Sequence, residues 1–367
     1  MSIAYREALE SSVPYVPART VRSLKDELHV DKIIKLAGNE NNLGSSPSII
    51  DALLNYRDEY SRYPDFANTE LLIRLTKALN VKDDQLIFGN GSFELITIIA
   101  NTYLNAGDES IYAEPSFGWY KNVTLQAGAI PVAVPVNNDH AVDLDKILQA
   151  ITGRTKIIWI CNPNNPTGTA LDQKELTSFL SKVPDHILVV LDEAYIDFYA
   201  GSDRPDTTAL IQKYDNLISL RTFSKLYGLA SLRLGYGISN PTIIRDLHRV
   251  KTPGNVNAAA QVAGAAALDD HEFTAKVLEN NRSGLTLYYD TLEDLGLEYI
   301  PSNGNFIMIN TGLDSDQVVS EYLKHGILLR GGNEFGMPGW LRITIGTEEE
   351  NKLVLEILKE IIKTGQK

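Results

Sequence analysis

Short apolar runs rich in valine and isoleucine, each closed by polar or glycine-rich residues and separated by helical patterns, recur through the middle of this chain. Runs of that length are what parallel strands buried on both faces require, with helices as crossovers, so the centre reads as α/β. The strand candidates are Gln85 to Phe88, Ser110 to Ala113, Pro131 to Val136, Lys156 to Ile160, Ile187 to Leu191, Leu217 to Leu220 and Leu234 to Ile238. In open α/β sheets ligands gather outside the carboxyl ends of the strands, where loops and helix N-termini converge. The polar endings of these runs are therefore where chemistry is to be sought.

From about residue 270 the pattern becomes a long helical stretch through Leu295, then short strands at Asn305 to Ile309 and Leu341 to Ile345, as in a smaller α+β domain. Glu348 to Lys363 carries three glutamates in its first turn and Leu353, Ile357 and Ile361 at helical spacing, which predicts a packed terminal helix. A length of 367 residues fits two such domains. The first thirty residues, with Pro14 and Pro17 around Tyr15, are too short for a domain and are expected to dock on the body or on a neighbour.

The net charge of −13, from 34 Lys and Arg against 47 Asp and Glu, argues against a nucleic-acid or anionic-membrane surface, so any anion must meet a local positive site. Cys161 is the single cysteine and allows no internal disulfide; with no signal-peptide pattern, a cytoplasmic location is expected. No apolar window approaches the about 18 residues of a membrane helix. One cysteine and six scattered histidines give no metal site, and none is expected.

Four strand endings stand out: Gly89-Asn90-Gly91-Ser92, Asn162 to Gly168, Asp192-Glu193-Ala194-Tyr195 and Thr222-Phe223-Ser224-Lys225. Singly, each has a plain structural reading as a turn or a helix cap. The functional reading of Gly91 and Ser92 is anion binding, because Ser92 opens an apolar helix whose free N–H groups and positive dipole end suit a phosphate. Asp192 ends an apolar strand, where a carboxylate is costly to bury without a cationic partner such as a protonated ring nitrogen. Lys225 at a buried strand end suits Schiff-base chemistry, and Arg233 reads either as a surface charge or as a phosphate clamp. Together these describe a pyridoxal phosphate site.

Beyond these endings, Leu36 to Asn41, Arg62-Tyr63-Pro64-Asp65, Cys161 to Gly168, Asp192 to Ile196, Thr222 to Lys225 and Leu341 to Thr347 stand in an order that resembles the fold-type I pyridoxal-phosphate aminotransferases, in the histidinol-phosphate aminotransferase branch. The resemblance covers nearly the whole chain. It implies a large domain with a mostly parallel seven-stranded sheet over 31–265, a smaller α+β domain over 266–367, and an N-terminal arm over 1–30 that packs with the small domain or the partner subunit of a homodimer. It makes Lys225 the Schiff-base lysine and proton shuttle, Asp192 the partner of the pyridinium nitrogen, and Asn165 and Tyr195 donors to the phenolic oxygen. Phe117 would stack on the ring face. The phosphate would take Gly91, Ser92, Thr222, Ser224 and Arg233, with Tyr63 supplied by the partner subunit.

On the substrate side the resemblance assigns Arg342 to the α-carboxylate, Arg330 as a second arginine, and Tyr15 and Asn39 as polar partners. Histidinol phosphate carries a phosphate ester and no α-carboxylate, so one basic pocket must accept two different anions in a ping-pong cycle with 2-oxoglutarate, giving imidazole acetol phosphate and L-glutamate. Rival readings are an aromatic amino-acid aminotransferase, a phospho-amino-acid decarboxylase and a non-catalytic pyridoxal-phosphate-binding regulator. The chain departs from the family pattern at Phe93, where aspartate is common, at Asn39-Glu40-Asn41-Asn42, where the family has Asn-Glu-Asn-Pro, and at Gly44-Ser45-Ser46-Pro47, where it has Gly-Pro-Ser-Pro.

Overall fold

The computed structural model describes residues 4–10, 21–28 and 30–365. Its strands in chain order are β1 (Ile34–Lys35), β2 (Leu86–Asn90), β3 (Glu109–Glu114), β4 (Ile130–Pro135), β5 (Thr155–Cys161), β6 (Leu188–Asp192), β7 (Leu217–Thr222), β8 (Leu234–Ser239), β9 (Tyr299–Ile300), β10 (Phe306–Asn310), β11 (Ile327–Leu328), β12 (Arg330–Gly331) and β13 (Trp340–Thr344). The large sheet has seven strands in the order β2-β8-β7-β6-β5-β3-β4. All pairings from β7 to β4 are parallel, whereas β8 runs antiparallel to both β7 and β2. The reason lies in the β7–β8 connection, which has no crossover helix: the chain turns back directly, and antiparallel pairing is what a short return allows. That return carries Ser224, Lys225 and Arg233 across the carboxyl end of the sheet.

The central strands are apolar on both faces because both are covered. Ile158, Ile160, Val189 and Leu191 face one core, while Ile157, Trp159, Leu188 and Val190 face the other. Helix starts on the large sheet are capped: Asp172 and Glu175 form a reciprocal capping box, and the Asn240 side chain accepts from the amides of Thr242 and Ile243 ahead of the helix that opens on Pro241.

The second body is an antiparallel sheet, β12-β13-β10-β9, packed with helices His271–Leu295, Ser315–Lys324 and Glu348–Gly365. Two details revise the expected division. Strand β1 pairs with β11 and Leu36 is buried in the small-domain core, so residues 34–36 pack there although the expected large domain begins at 31. Helix Ala258–Asp269 packs on helices Pro47–Asn55 and Thr69–Leu79, so a boundary at 265 cuts a helix and the change of layer comes at Asp270, the N-cap of the next one. The described arm residues 4–10 touch the large domain, where Arg6 Nη2 donates to the Gln126 carbonyl at 3.2 Å.

Candidate active site

The anion end of the site is built from backbone. Gly91, at φ 77°, is the N-cap of helix Ser92–Tyr103, and its missing Cβ leaves room for the Arg233 guanidinium, which would otherwise lie 2.5 Å away. Gly235 on β8 lies against the Ser92 amide, where any side chain would collide. Arg233 itself is left-handed at φ 58° and donates from Nη1 to the Ala230 carbonyl at 3.0 Å. Thr222 donates to Ser224 Oγ at 2.9 Å, and its hydroxyl oxygen accepts the Ser224 amide at 3.1 Å. Free helix N–H groups, two hydroxyls and a guanidinium thus converge on one place.

Asp192, 4% exposed, ends β6 on the cavity floor. Its Oδ2 accepts from the Tyr120 hydroxyl at 2.7 Å and its Oδ1 from the Ala194 amide at 3.3 Å. Burial raises its pKa to about 6, with those two hydrogen bonds opposing. Lys225 Nζ donates to the Gly38 carbonyl at 3.0 Å and lies 5.6 Å from the Tyr195 ring centroid. Burial first, then the cations Arg342, Arg233 and Lys35, lower its pKa to about 7 against the pull of Glu40.

The Tyr195 hydroxyl accepts from Asn39 Nδ2 at 3.0 Å and from Asn165 Nδ2 at 3.4 Å. Burial lifts its pKa to about 12. Arg342, on β13, spans the two bodies: Nη1 donates to Asn165 Oδ1 at 2.6 Å and Nη2 to the Ala37 carbonyl at 2.8 Å, while Nε is buried without a partner. Burial lowers its pKa to about 10, which still leaves it protonated at neutral pH.

A cavity of about 330 Å³ joins these groups; Ser92, Phe117 and Asn165 line it together with Asp192, Tyr195, Thr222, Ser224, Lys225 and Arg233. Asn39 reaches the site through Tyr195. Arg330 is drawn outward instead, paired to Glu334 at 2.6 Å, with its guanidinium over the Phe335 ring that also faces Arg342. Tyr63 is 89% exposed and edge-on to Phe66, outside the cavity. Tyr15 lies outside the described residues. Phe93, at the cavity rim, stacks on Trp119 at 4.4 Å rather than facing the anion end with a charge. Sequence reasoning missed the Gly38 carbonyl, which no residue type encodes, and Tyr120, which reads as an ordinary apolar helix position.

The model of the family described as Aminotransferase class I and II matches residues 31–358. The chain belongs to that family. Histidinol-phosphate aminotransferases of Caldicellulosiruptor saccharolyticus and Bacillus subtilis are 44% and 43% identical to this aminotransferase; the first match covers 98% of this chain and 100% of the relative, the second 97% and 99%. The solved histidinol-phosphate aminotransferase of Sinorhizobium meliloti, in complex with pyridoxal-5'-phosphate, superposes with a TM-score of 0.89 at 26% identity, covering 99% of both chains. An aspartate aminotransferase from Thermus thermophilus shares the fold, with a TM-score of 0.83 at 20% identity over 99% of this chain and 100% of that one.

The residues of this aminotransferase fit pyridoxal phosphate. Asp192 is a buried carboxylate with no ion-pair partner among the described residues, the situation a protonated ring nitrogen resolves. The glycine-backed cradle at the other end suits a phosphate, and the amine of Lys225 lines the same cavity.

Proposed function

We propose that this aminotransferase moves the amino group of histidinol phosphate to 2-oxoglutarate, giving imidazole acetol phosphate and L-glutamate in histidine biosynthesis. The curated relatives of that name, matched over nearly their full length, support the substrate. The observation that carries the chemistry is the cavity that holds Lys225, Asp192 and the anion cradle together, with Arg342 bordering it through Asn165.

Bound pyridoxal phosphate supplies a carbonyl for Schiff-base formation and a ring that withdraws electrons from the amino-bearing carbon. Gly91, Ser92, Thr222, Ser224 and Arg233 hold its phosphate, Asn165 and Tyr195 its phenolic oxygen, and Phe117 one face. Asp192, as the anion, keeps the ring nitrogen protonated. Lys225, with its pKa near 7, takes and returns a proton at Nζ around neutral pH. Arg342 is pinned at two nitrogens and offers its unpartnered Nε to an incoming carboxylate or phosphate ester. On the substrate side Asn39 fixes the Tyr195 hydroxyl, and Tyr15 and Arg330 are proposed to join it, Arg330 on release from Glu334.

A homodimer is part of this reading, supported by a cluster of exposed aromatics in which Tyr63 is 89%, Phe66 53% and Tyr60 50% exposed, which a second copy would cover as it supplies Tyr63 to the neighbouring cradle. No described helix is long and apolar enough to cross a membrane; a cytoplasmic setting is the finer proposal, in keeping with a lone buried thiol, Cys161.

Steady-state comparison of donors with 2-oxoglutarate tests the substrate. The reading expects kcat/KM for histidinol phosphate to exceed that for phenylalanine and tyrosine by at least about a hundredfold. Preference for a free aromatic donor makes the chain an aromatic aminotransferase, and release of carbon dioxide makes it a decarboxylase.

A further inference from the structure

We propose that Tyr120 is a positioning residue for the transamination, its hydroxyl holding the Asp192 carboxylate toward the cavity. The inference rests on the reading in which Asp192 meets the cofactor ring nitrogen. Tyr120 is completely buried near the start of helix Trp119–Gln126. Its ring is fixed on two sides, stacked on Trp159 of β5 at 5.2 Å with an interplanar angle of 8°, and edge-on to Phe117 at 5.5 Å. The helix turn is fixed as well: the Tyr120 carbonyl accepts from Thr124 Oγ1 at 2.7 Å, and that hydroxyl is hydrogen-bonded to Ser110 of β3. Only the hydroxyl remains to be placed, and it meets Asp192 Oδ2 at 2.7 Å.

The groups that face Asp192 define what this hydrogen bond does. From β5 comes the Cys161 thiol, which burial keeps protonated and which donates to the Pro163 carbonyl at 3.4 Å. From its own loop come Glu193 and Tyr195, and from the β7–β8 return comes Lys225. Glu193 is turned away onto Ser219 and Arg221, at 2.6 and 3.0 Å. Lys225 donates to the Gly38 carbonyl and acts on Asp192 as a nearby charge, with no hydrogen bond to it. The hydrogen bonds to the Asp192 carboxylate are therefore the one from the Tyr120 hydroxyl and the longer one from the Ala194 amide. A donor to the ionised form favours that form, so the phenol opposes the burial that would otherwise protonate or turn the carboxylate.

Tyr120→Phe is the test, because it keeps the ring and its stacking and removes only the hydroxyl. In the cofactor-free chain, Asp192 titrates near 6 when folded against 3.8 for the ordinary group. The native state binds the extra proton in that window, so the Asp192 contribution to stability falls as pH rises through it and then levels off. In Tyr120→Phe that fall should extend upward by about one pH unit, and it should vanish in the Tyr120→Phe/Asp192→Asn double variant. In the loaded enzyme, kcat should drop about tenfold while KM for 2-oxoglutarate stays within about twofold. A lowered melting temperature with a pH profile identical to wild type assigns Tyr120 to packing alone and overturns the proposal. If wild type fails to bind pyridoxal phosphate, the proposed function falls, whereas the cofactor-free titration still decides the link between Tyr120 and Asp192.

Discussion

Lys225 costs the cofactor-free protein stability, and the sign of its pH dependence follows from its surroundings. Its folded pKa lies near 7 against an ordinary 10.5, so between those values the unfolded chain binds more protons and stability rises with pH. Lys225→Met should therefore stabilise the cofactor-free chain, most at and below pH 7 and not at all above 10.5, as read by urea unfolding across pH. The same substitution should abolish the Schiff-base absorbance of the loaded protein and all turnover. Arg342→Ala removes a charge-assisted partner of an incoming anion, worth roughly 1.5 to 3 kcal/mol, so KM for 2-oxoglutarate should rise by about tenfold to a hundredfold. An unchanged KM would place the carboxylate site elsewhere. At this scale the sequence was legible at and just past the ends of buried strands: Asp192 closes β6, while Ser92 and Lys225 lie within three residues of the ends of β2 and β7, and each needed only that position and its chemistry. Tyr120 was not legible, because a tyrosine among apolar helix positions gives the same periodic signal whether its hydroxyl is idle or bonded to a carboxylate.

Among the elements, the runs that became the central strands were readable because burial on both faces forces continuous apolar sequence, β4 at the sheet edge being the more exposed exception, and the observed ends of β2 to β8 lie within two residues of the expected ones. Strand direction is not carried by periodicity. The antiparallel β8 came from the length and shape of its connection, which places Lys225 and Arg233 on one return loop. The two-residue strands β1, β9, β11 and β12 are set by pairing with distant partners and leave no local pattern. The glycine at 235 belongs to this scale too, since it lets β8 pass close under the helix that opens at Ser92. Gly235→Ala should push that helix start away and weaken pyridoxal phosphate binding at least about tenfold in a fluorescence titration, with secondary structure unchanged by circular dichroism. Asp172→Ala, which removes a distant capping box, should cost about 1 kcal/mol of stability and leave binding untouched.

At the scale of the whole molecule, the site is a junction. Arg342 of the small sheet holds Asn165 of the large domain, which lines the cavity, and the Ala37 carbonyl of the segment that joins them, so the small body reaches the cavity wall through that arginine. A large domain drawn from residue 31 does not show this, because residues 34–36 enter the small-domain core from far away in the chain, and their tertiary pairing is not encoded locally. If a second copy completes the cradle, Tyr63→Ala should lower cofactor affinity while the chain remains dimeric by light scattering, and no loss of affinity would exclude Tyr63 from the site. The central claim, that this junction transaminates histidinol phosphate, is tested most directly by a single-turnover spectral titration of the cofactor-loaded protein, following conversion to the pyridoxamine form with histidinol phosphate and then with phenylalanine. Rapid conversion by histidinol phosphate, at far lower concentration than phenylalanine requires, is the expected result. No spectral change with histidinol phosphate, or conversion by phenylalanine alone, would contradict it.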